Sequence, residues 1–230
     1  MIIGVAGNAG SGKDTVADHL VKHHGFVKVA LADPLKRICR EVFDFSEEQL
    51  WGPSEKRNEP DKRYPRKLDE LSEGIIKGLQ VPREFTHPNA YLTPRHALQQ
   101  LGTEWGRACY ENVWVDYALR VAKQILDRYY ARYDAKRGTY EIEKDDGLSI
   151  EGVVIPDVRF RNEVDAIRAA GGKVWRVSRF GAGLQGAAAK HQSETELDTI
   201  PLDLFTQQVS NNSTLEALYA VIDRVMKETS

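Results

Sequence analysis

Along the chain, short continuous runs of apolar residues alternate with stretches in which apolar residues recur at helical spacing. The runs predict strands and the spaced stretches predict helices. The run 2–5 (IIGV) is apolar and stops before Gly7, which is typical of a strand buried on both faces. From Asp14 the apolar positions recur at helical spacing until Gly25, a residue suited to ending a helix. Strands that alternate with helices form parallel sheets with right-handed crossovers, so the pattern predicts an α/β fold.

The same patterns predict elements as far as the last residues. Helices are expected to begin at Asp33–Pro34 and at Thr93–Pro94, because such a residue followed by proline favours a first helical turn. Asn212 or Ser213 is the predicted N-cap of the last helix. Further strands are predicted at 26–32, 152–159, 173–179 and 204–212, and further helices at 112–130, 162–172 and 213–226.

Two stretches interrupt this rhythm. Residues 51–93 are rich in proline and charge, which predicts a long loop, a mobile lid-like insertion, or both. Residues 131–149 are polar and predict an exposed connection with a short hairpin near 139–147. We therefore expect a single domain over 1–230: a three-layer α/β/α sandwich around a central, mainly parallel five-stranded sheet, with insertions.

Composition narrows the class of protein. The 230 residues carry a net charge of −2, so no overall charge attracts nucleic acid or an anionic membrane. No apolar run is long enough to span a bilayer and no signal-like segment is recognised, so a cytoplasmic protein is expected. Cys39 and Cys109 form no Cys/His pattern that indicates zinc, and both are expected to be reduced, partly buried thiols.

The segment 7–13 (GNAGSGK) joins the first predicted strand to the first predicted helix. Its glycines allow backbone N–H groups to converge on phosphate oxygens, and a lysine in this position reaches the outer phosphates. The alternative is a glycine-rich turn with a surface lysine. Strand, spacing, lysine and helix together favour a nucleotide site formed by Gly7, Asn8, Ala9, Gly10, Ser11, Gly12, Lys13, Asp14 and Thr15.

Asp14 stands where such loops ordinarily carry a hydroxyl residue that helps to hold Mg²⁺. Thr15 can supply that hydroxyl from the next position, or Mg²⁺ can be held mainly through water. An aspartate beside a triphosphate is repulsive unless it faces Mg²⁺ or caps the helix. Asp14 therefore weakens the interpretation as a general ATPase more than the interpretation as a kinase.

Charged residues end two of the predicted strands. Asp157 lies at the sheet edge where ligands of open α/β sheets bind, so its carboxylate can orient Mg²⁺ beside the phosphate loop. Arg159 points to the same side and can clamp a phosphate; a structural Asp–Arg pair is the alternative. Arg176 and Arg179 flank the end of the next strand, as lid arginines over the phosphates or as surface charges.

Arg95, Gln99, Thr103 and Arg107 recur every fourth residue and form a slowly drifting stripe on a predicted helix. The stripe predicts a polar ligand with an anionic end, because arginine suits a monophosphate and a glutamine amide suits a base edge. A solvated helix face is the competing interpretation.

Other candidates follow predicted strands or lie in loops. Lys36 and Arg37, just after Asp33, indicate a second anion site at the same sheet edge. Asn211 lies where the last strand meets the last helix, a place that often borders an adenine. His191 and Glu194 are candidates for substrate or lid contacts, and an exposed histidine in a polar loop is the alternative.

Together these segments resemble the phage-type deoxynucleoside monophosphate kinases of the P-loop kinase group. SGKDT and LADPLK also resemble phosphomevalonate kinase, whereas R-x-x-x-Q-x-L-G-T combined with D-V-R-F-x-N-E favours the nucleotide family. The Lys-Asp-Thr sequence is normal in that family. The matching segments, spread over nearly the whole chain, are GNAGSGKDT, LADPLK, PRHALQQLGTEWGR with NVW, PDVRFRNEVDAIRAAGG, HQSE and VSNNSTLEAL.

The resemblance implies phosphoryl transfer from ATP–Mg²⁺ to a deoxynucleoside monophosphate. Residues 51–130 are then an acceptor-binding or lid insertion, and 176–198 a lid loop. The implied transfer centre is Lys13, Asp157 and Arg159, and the implied Mg²⁺ contacts are Thr15 and Asp157. The implied ATP contacts are residues 7–15, Arg176, Arg179 and Asn211. The implied acceptor contacts are Asp33, Lys36, Arg37, Arg95, Gln99 and Arg107.

The expected partners are small-molecule nucleotides, with neither nucleic acid nor membrane, and a homodimer is left open. Two rivals remain: another small-molecule kinase, and a nucleotide-gated ATP-binding module. The near-neutral charge and the lack of a basic-aromatic stripe count against a polynucleotide 5′-kinase.

Overall fold

The first apolar run of the chain becomes the middle strand of a parallel sheet. In the computed structural model the strands of this sheet are β1 (Ile2–Ala6), β2 (Phe26–Lys28), β7 (Gly152–Val158), β8 (Lys173–Ser178) and β9 (Gln207–Ser210). Their order across the sheet is β2–β7–β1–β8–β9. Every neighbouring pair is parallel, which confirms the predicted five-stranded α/β sheet.

The structure describes residues 1–67, 70–80, 90–134, 139–144, 147, 149–183 and 196–229. The chain divides into two compact units, 1–31 with 111–230, and 32–110. The bounds predicted for the insertion, 51–130, and for the lid loop, 176–198, stay predictions.

Helices and short pairs of strands complete both units. The remaining strands are β3 (Asp61–Pro65) and β4 (Tyr91–Leu92), which are antiparallel, and the antiparallel β5 (Tyr129–Asp134) and β6 (Thr139–Lys144). The α-helices are α1 (Lys13–His23), α2 (Asp33–Phe43), α3 (Glu47–Trp51), α4 (Glu70–Leu79), α5 (Pro94–Gln99), α6 (Val113–Leu126), α7 (Arg161–Ala169) and α8 (Leu215–Thr229). Short 3₁₀ helices span Lys56–Asn58, Glu196–Thr199 and Leu202–Leu204, and a π-helix spans Gln100–Arg107.

Alternate residues of the central strands face opposite helix layers, as the two-residue period of a strand requires. Ile3 and Val5 of β1 pack in one core with residues of α1 and α8. Val153 and Ile155 of β7 pack in the other core with residues of α6 and α7. The sheet is therefore covered on both faces, in the three layers that the sequence predicts.

The 32–110 unit has a small core of its own, built around Cys39, Phe45, Leu50 and Ala97. Cys39 is fully buried whereas Cys109 is exposed, so the prediction that both thiols are partly buried is wrong. The prediction of a long loop over 51–93 is wrong, because this stretch contains a 3₁₀ helix, β3, α4 and β4. Apolar side chains hold the polar segment in place. Tyr64 meets the rings of Phe43 and Phe45 edge-on and donates a hydrogen bond to the carbonyl oxygen of Phe43.

Several element ends differ from the prediction. β2 stops at Lys28, earlier than the predicted end at residue 32. The N–H of Val29 still donates a hydrogen bond to the carbonyl oxygen of Val154 in β7. Helix α6 stops at Leu126, and a left-handed residue, Arg128 with φ 63°, leads into β5. The predicted helix over 112–130 is thus too long, and the hairpin pairs 129–134 with 139–144.

The helix starts are partly as predicted. The Thr93 hydroxyl caps α5 by accepting a bond from the N–H of His96. Asp33, predicted as an N-cap, is the first residue inside α2, and Ala32 takes the cap position. Thr214 caps α8 through a bond from the N–H of Ala217, so the prediction of Asn212 or Ser213 is wrong.

Candidate active site

The phosphate loop runs from Gly7 to Gly12, between β1 and α1. At Gly7 a Cβ atom would lie 2.6 Å from the carbonyl oxygen of Val177, so no larger residue fits beside β8. Gly12 has φ 97° and immediately precedes the helix, a conformation that residues with side chains rarely adopt. The loop therefore presents its backbone, and the N-terminus of α1, at the carboxyl edge of the sheet.

Asn211 supports this loop from the end of β9. Its Nδ2 donates a hydrogen bond of 2.9 Å to the carbonyl of Ser11, and its backbone N–H donates to the carbonyl of Ser178 at 2.7 Å. A Cβ on Gly12 would lie only 2.3 Å from the same Nδ2. Asn211 thus holds the backbone of the loop in place, while the predicted contact with ATP stays a prediction.

Two polar atoms of the loop are buried without a partner among the described residues. They are the hydroxyl of Ser11, a residue only 1% exposed, and Oδ1 of Asn8. A buried polar atom without a hydrogen bond is costly, so a polar ligand at the loop would satisfy a need that the protein leaves open. This chemistry fits a phosphate group and its hydration shell.

Lys13, the first residue of α1, is 5% exposed. Its Nζ lies 3.2 Å from Oδ1 of Asp157 and 3.8 Å from Oδ2 of Asp14. The Asp14 side chain is exposed and Thr15 is half-buried. The structure therefore brings together the predicted loop lysine and the predicted strand-end aspartate.

The backbone at Asp157 departs from regular strand geometry. Val5 pairs with Pro156 and Ala6 pairs with Val158, so Asp157 is the extra residue of a bulge between β1 and β7. Its φ is 64°, in the left-handed region that non-glycine residues rarely occupy. Such bulges re-aim side chains next to functional sites, and here the bulge accompanies a carboxylate directed at Lys13.

Opposing effects set the charge state of Asp157. Burial raises the pKa of its carboxyl group, but the positive charges of Lys13 and then Arg159 lower it, and the net pKa is below the ordinary value. The guanidinium of Arg159 lies 3.4 Å from Oδ1 of Asp157. The three predicted catalytic residues therefore form one chain of contacts with a net positive charge.

Glu163 supports this chain of contacts, although the sequence patterns did not indicate it. Its side chain is buried, and its Oε2 accepts hydrogen bonds from the N–H groups of Arg159 at 2.8 Å and Phe160 at 3.1 Å. It thereby fixes the backbone that leaves β7 and enters α7. The acidic residue two places inside the helix start was the available signal, since such residues bond back to free N–H groups.

Arg176 has partners that the sequence did not indicate. Its guanidinium donates to the carbonyl of Leu197 at 3.1 Å and to Asp198 Oδ1 at 2.8 Å, and lies over the ring of Phe205. Asp198 also accepts a bond from Nδ2 of Asn8. These contacts anchor the 3₁₀ helix at the C-terminal end of the predicted lid loop, and a phosphate contact of Arg176 stays a prediction.

Arg179 follows β8 and lines a small cavity of about 60 Å³ beside the phosphate loop. Asn8 and Ser11, with their unpartnered atoms, line the same cavity. The segment that follows β8 is joined to the phosphate loop by a hydrogen bond from the N–H of Gly183 to the carbonyl oxygen of Ala9. His191 and Glu194 lie outside the described residues.

The predicted acceptor residues belong to the 32–110 unit. Asp33 accepts a bond from the indole N–H of Trp51 at 3.4 Å, and the ammonium of Lys36 lies over the same indole, 5.5 Å from its centre. Arg37 is exposed. Arg95 donates from Nε to Oδ1 of Asn58 at 2.5 Å and from a terminal nitrogen to the Ser54 hydroxyl at 2.6 Å.

The stripe of Arg95, Gln99, Thr103 and Arg107 does not lie on one α-helix. The α-helix ends at Gln99 and continues as the π-helix, whose hydrogen bonds run from i to i+5. One turn of a π-helix contains more than four residues, and one turn of an α-helix contains fewer than four. Residues spaced four apart therefore shift around the helix axis in opposite directions in the two kinds of helix. Gln99, Thr103 and Arg107 are half-buried.

Comparison with known proteins decides the family. A protein of Acanthamoeba polyphaga mimivirus, described as "Putative deoxynucleotide monophosphate kinase", is 30% identical over 222 residues, covering 96% of this chain and 94% of the mimivirus protein. This chain belongs to the deoxynucleotide monophosphate kinase family. No family model matches it.

Two solved structures are similar over the whole chain. The dephospho-CoA kinase from Campylobacter jejuni is 14% identical, with a TM-score of 0.44, covering 100% of this chain and 97% of that one. TT1252 from Thermus thermophilus is 18% identical, with a TM-score of 0.38, covering 100% of this chain and 98% of that one.

Membership of the deoxynucleotide monophosphate kinase family makes the protein a phosphotransferase of the nucleotide-kinase type. Such enzymes hold transferring phosphates with a lysine and a backbone-lined loop, and this chain has a buried lysine, Lys13, at the end of a glycine loop. In the part of the chain that the structure describes, no helix has the length and apolar character needed to cross a membrane.

Proposed function

We propose that the enzyme transfers the γ-phosphoryl group of ATP to a deoxynucleoside 5′-monophosphate, giving the diphosphate and ADP. The observation that carries this proposal is the buried ammonium of Lys13, held 3.2 Å from Asp157 beside a glycine loop with unpartnered polar atoms. The family of the chain gives the substrate class its support.

ATP is the phosphoryl donor in this proposal. Residues 7–15 hold its phosphates, and the Lys13 ammonium offsets the negative charge on the transferring group. Arg159 adds a second cation, and Asn211 keeps the loop in position. Arg176 and Arg179, which line the same cavity as Asn8 and Ser11, are the candidates for further ATP contacts.

Thr15 and Asp157 are the residues that would hold Mg²⁺, directly or through its water. Oxygen ligands suit this ion, and the lowered pKa keeps Asp157 in the anionic form that a cation prefers. Mg²⁺ held by these residues would supply positive charge that offsets the negative charge of the phosphates during transfer.

The acceptor nucleotide is assigned to the 32–110 unit, through Asp33, Lys36, Arg37, Arg95, Gln99 and Arg107. Arginines suit its phosphate, and the Gln99 amide suits a base edge. Transfer is direct and in line, with no covalent intermediate, so positioning and charge neutralisation supply the catalysis.

An acceptor panel tests this proposal. ADP release from ATP–Mg²⁺ is followed in a coupled assay with each of the four deoxynucleoside monophosphates, the ribonucleotides, mevalonate phosphate and no acceptor. Turnover with one or more deoxynucleotides and a low blank supports the proposal. Turnover with mevalonate phosphate alone makes the protein another small-molecule kinase, and ADP release that ignores every acceptor makes it an ATPase.

The same assay tests the acceptor assignment. Arg107→Ala should raise the KM of the deoxynucleotide at least tenfold while leaving the KM of ATP within about twofold, because the lost cation binds only the acceptor. Arg161→Ala, which removes an exposed arginine paired with Asp165, is the matched control and should change neither constant. A rise in the KM of ATP alone would move Arg107 to the donor side.

A further inference from the structure

Towards the C-terminal end of α1, on the side away from the phosphate loop, two histidines and an aspartate converge on one point. His19 lies in α1, His24 directly follows that helix, and Asp223 lies in α8. The Nε2 atoms of both histidines lie 2.7 Å from the same oxygen, Oδ1 of Asp223. All three atoms lie within 4.8 Å of one another.

We propose that His19, His24 and Asp223 form a zinc-binding site that joins α1 to α8. Imidazole nitrogen and carboxylate oxygen are ordinary zinc ligands, and three protein ligands with one water complete a tetrahedral site. No sequence pattern indicates it, because the histidines are followed by their acidic partner only 199 residues later and no cysteine takes part.

Zinc binding requires the three ligand atoms to rearrange slightly. Zinc binds nitrogen at about 2.0–2.1 Å and carboxylate oxygen at about 2.0–2.2 Å, so tetrahedral ligands lie roughly 3.3–3.5 Å apart. The two N–O distances of 2.7 Å must therefore lengthen by about 0.6–0.8 Å. The two histidine nitrogens, which lie within 4.8 Å of each other, must come to the same spacing. The Asp223 side chain is 43% exposed and can make this movement through its own rotation.

One ligand is held firmly and the others leave an open side. The side chain of His19 is 6% exposed, and its ring stacks on Tyr219 of α8 at 4.2 Å. This stacking fixes the plane of the imidazole. The side chain of His24 is 20% exposed, so water reaches the cluster from that side and can supply the fourth ligand.

Zinc suits this donor set better than the Mg²⁺ of the proposed reaction. Mg²⁺ takes oxygen ligands in octahedral geometry, whereas two imidazoles favour zinc, nickel or copper. The cluster also lies away from the transfer chemistry, since His19 is six residues beyond Lys13, about 9 Å along the axis of α1.

A metal here would act on the helix that carries Lys13. It would tie the C-terminal end of α1 to α8 and would bind the folded chain more tightly than the unfolded one. The expected result is a stabilised fold, with a transition temperature that depends on zinc concentration.

Metal binding to the untagged, full-length protein tests the proposal. The protein is freed of metal and nucleotide and titrated with ZnCl₂ by calorimetry, and thermal unfolding is followed with Zn²⁺ or Mg²⁺ alone. One Zn²⁺ per chain should bind, with a rise of several degrees in the unfolding temperature that Mg²⁺ does not reproduce. Co²⁺ should give the absorption spectrum of tetrahedral nitrogen and oxygen ligation.

Variants identify the ligands. His24→Ala and Asp223→Asn should each weaken Zn²⁺ binding more than about 100-fold, beyond the 10–100-fold typical of residues that only support a ligand. His23→Ala removes the neighbouring exposed histidine and should bind Zn²⁺ like the wild type. All three should keep their circular dichroism and their ADP release with Mg²⁺.

Three results would overturn the proposal. The first is a wild-type protein that neither binds Zn²⁺ nor gains thermal stability from it. The second is unchanged affinity in both His24→Ala and Asp223→Asn. The third is an equal loss in His23→Ala, which would show that another set of histidines binds the metal. None of these depends on which acceptor the enzyme uses.

Discussion

A left-handed backbone at Asp157 accompanies a carboxylate that lies 3.2 Å from the buried ammonium of Lys13. A conformation of this kind costs about 1–3 kcal/mol and persists only where neighbouring structure holds it. Here the parallel pairing on both sides of the bulge and the two bonds to Glu163 just beyond it do so. The bulge accompanies a carboxylate that lies at the end of the phosphate loop, beside Lys13.

Asp157→Asn should separate charge from backbone geometry. Asparagine tolerates the left-handed conformation, so the fold and the unfolding temperature should stay close to the wild type. The carboxylate beside Lys13, which we propose to hold Mg²⁺, is lost, and kcat should fall roughly 100-fold or more. Steady-state kinetics with ATP–Mg²⁺ and the best acceptor measure the change.

The control for this variant is Asp165→Asn, which removes a half-exposed carboxylate on α7 that pairs with Arg161. Its kcat should match the wild type. Near-normal kcat in Asp157→Asn would mean that the contact with Lys13 serves only the fold.

At the scale of an element, the phosphate loop depends on a side chain that lies about 200 residues further along the chain. The Asn211 amide fills the space beside Gly12, and the same amide bonds to the carbonyl of Ser11, 200 positions away in sequence. The local pattern of glycines therefore accounts for the backbone of the loop but not for what supports it. That support comes from the side chain of Asn211, which directly follows the last strand, β9.

Gly12→Ala and Asn211→Ala should be energetically coupled. The alanine methyl group would lie 2.3 Å from Asn211 Nδ2, in addition to the strain at φ 97°. Asn211→Ala removes the atoms involved in the clash, so the double variant should be less destabilised than the sum of the single ones, by about 0.5–3 kcal/mol. Urea unfolding of the four proteins gives this value.

Gly10→Ala serves as the comparison, since Gly10 has φ 77° but no neighbouring atom within 4 Å of the place that an alanine methyl group would take. Its effect on the free energy of unfolding should add to that of Asn211→Ala. Additive effects for Gly12→Ala as well would contradict the proposed packing.

Strand β3 carries a buried carboxylate whose ionisation stabilises the 32–110 unit. Hydrogen bonds from Arg63 lower the pKa of Asp61 to about 2, against the opposing effect of burial and with further help from Gln49. A lowered pKa means that the stabilisation is fully present above about pH 4 and is lost as the pH falls towards 2.

Asp61→Asn should reduce the free energy of unfolding at pH 7 by roughly 1–2 kcal/mol, a value discounted because the Arg63 side chain is 48% exposed. The difference from wild type should shrink between pH 4 and pH 2. Asp44→Asn removes a highly exposed partner of the same arginine and should cost less than about 0.5 kcal/mol. Urea unfolding across this pH range checks both values, and a loss in Asp61→Asn that does not vary with pH would refute the assignment.

At the scale of the whole molecule, the sequence was informative where structure is local and less so where distant segments meet. The run 2–5, the loop 7–13 and the cap at Thr93 were predictable, because each depends on neighbours a few residues away. The partners of Arg176, the contact of Asn211 with the loop and the cluster at Asp223 join residues 21 to 204 positions apart, and no period in the sequence signals them.

Backbone irregularities were hidden for a related reason. The π-helix that follows Gln99 and the bulge at Asp157 each change the geometry of a segment whose pattern fits a regular element. Pro156 was the local sign of the bulge at Asp157, since proline inside a strand favours a bulge or an edge strand. Both irregularities carry residues assigned to the site, as functional positions often do.

The central claim is that the γ-phosphoryl group passes directly from ATP to a deoxynucleotide at Lys13. The most direct measurement follows a label on the γ-phosphate of ATP after incubation with Mg²⁺ and each deoxynucleoside monophosphate, in the wild type and in Lys13→Ala. We expect label in the β-position of the deoxynucleoside diphosphate, in equal amount to the ADP formed, and almost none with Lys13→Ala, which should keep its fold. Label released only as free phosphate, or transfer at a normal rate by Lys13→Ala, would contradict the claim.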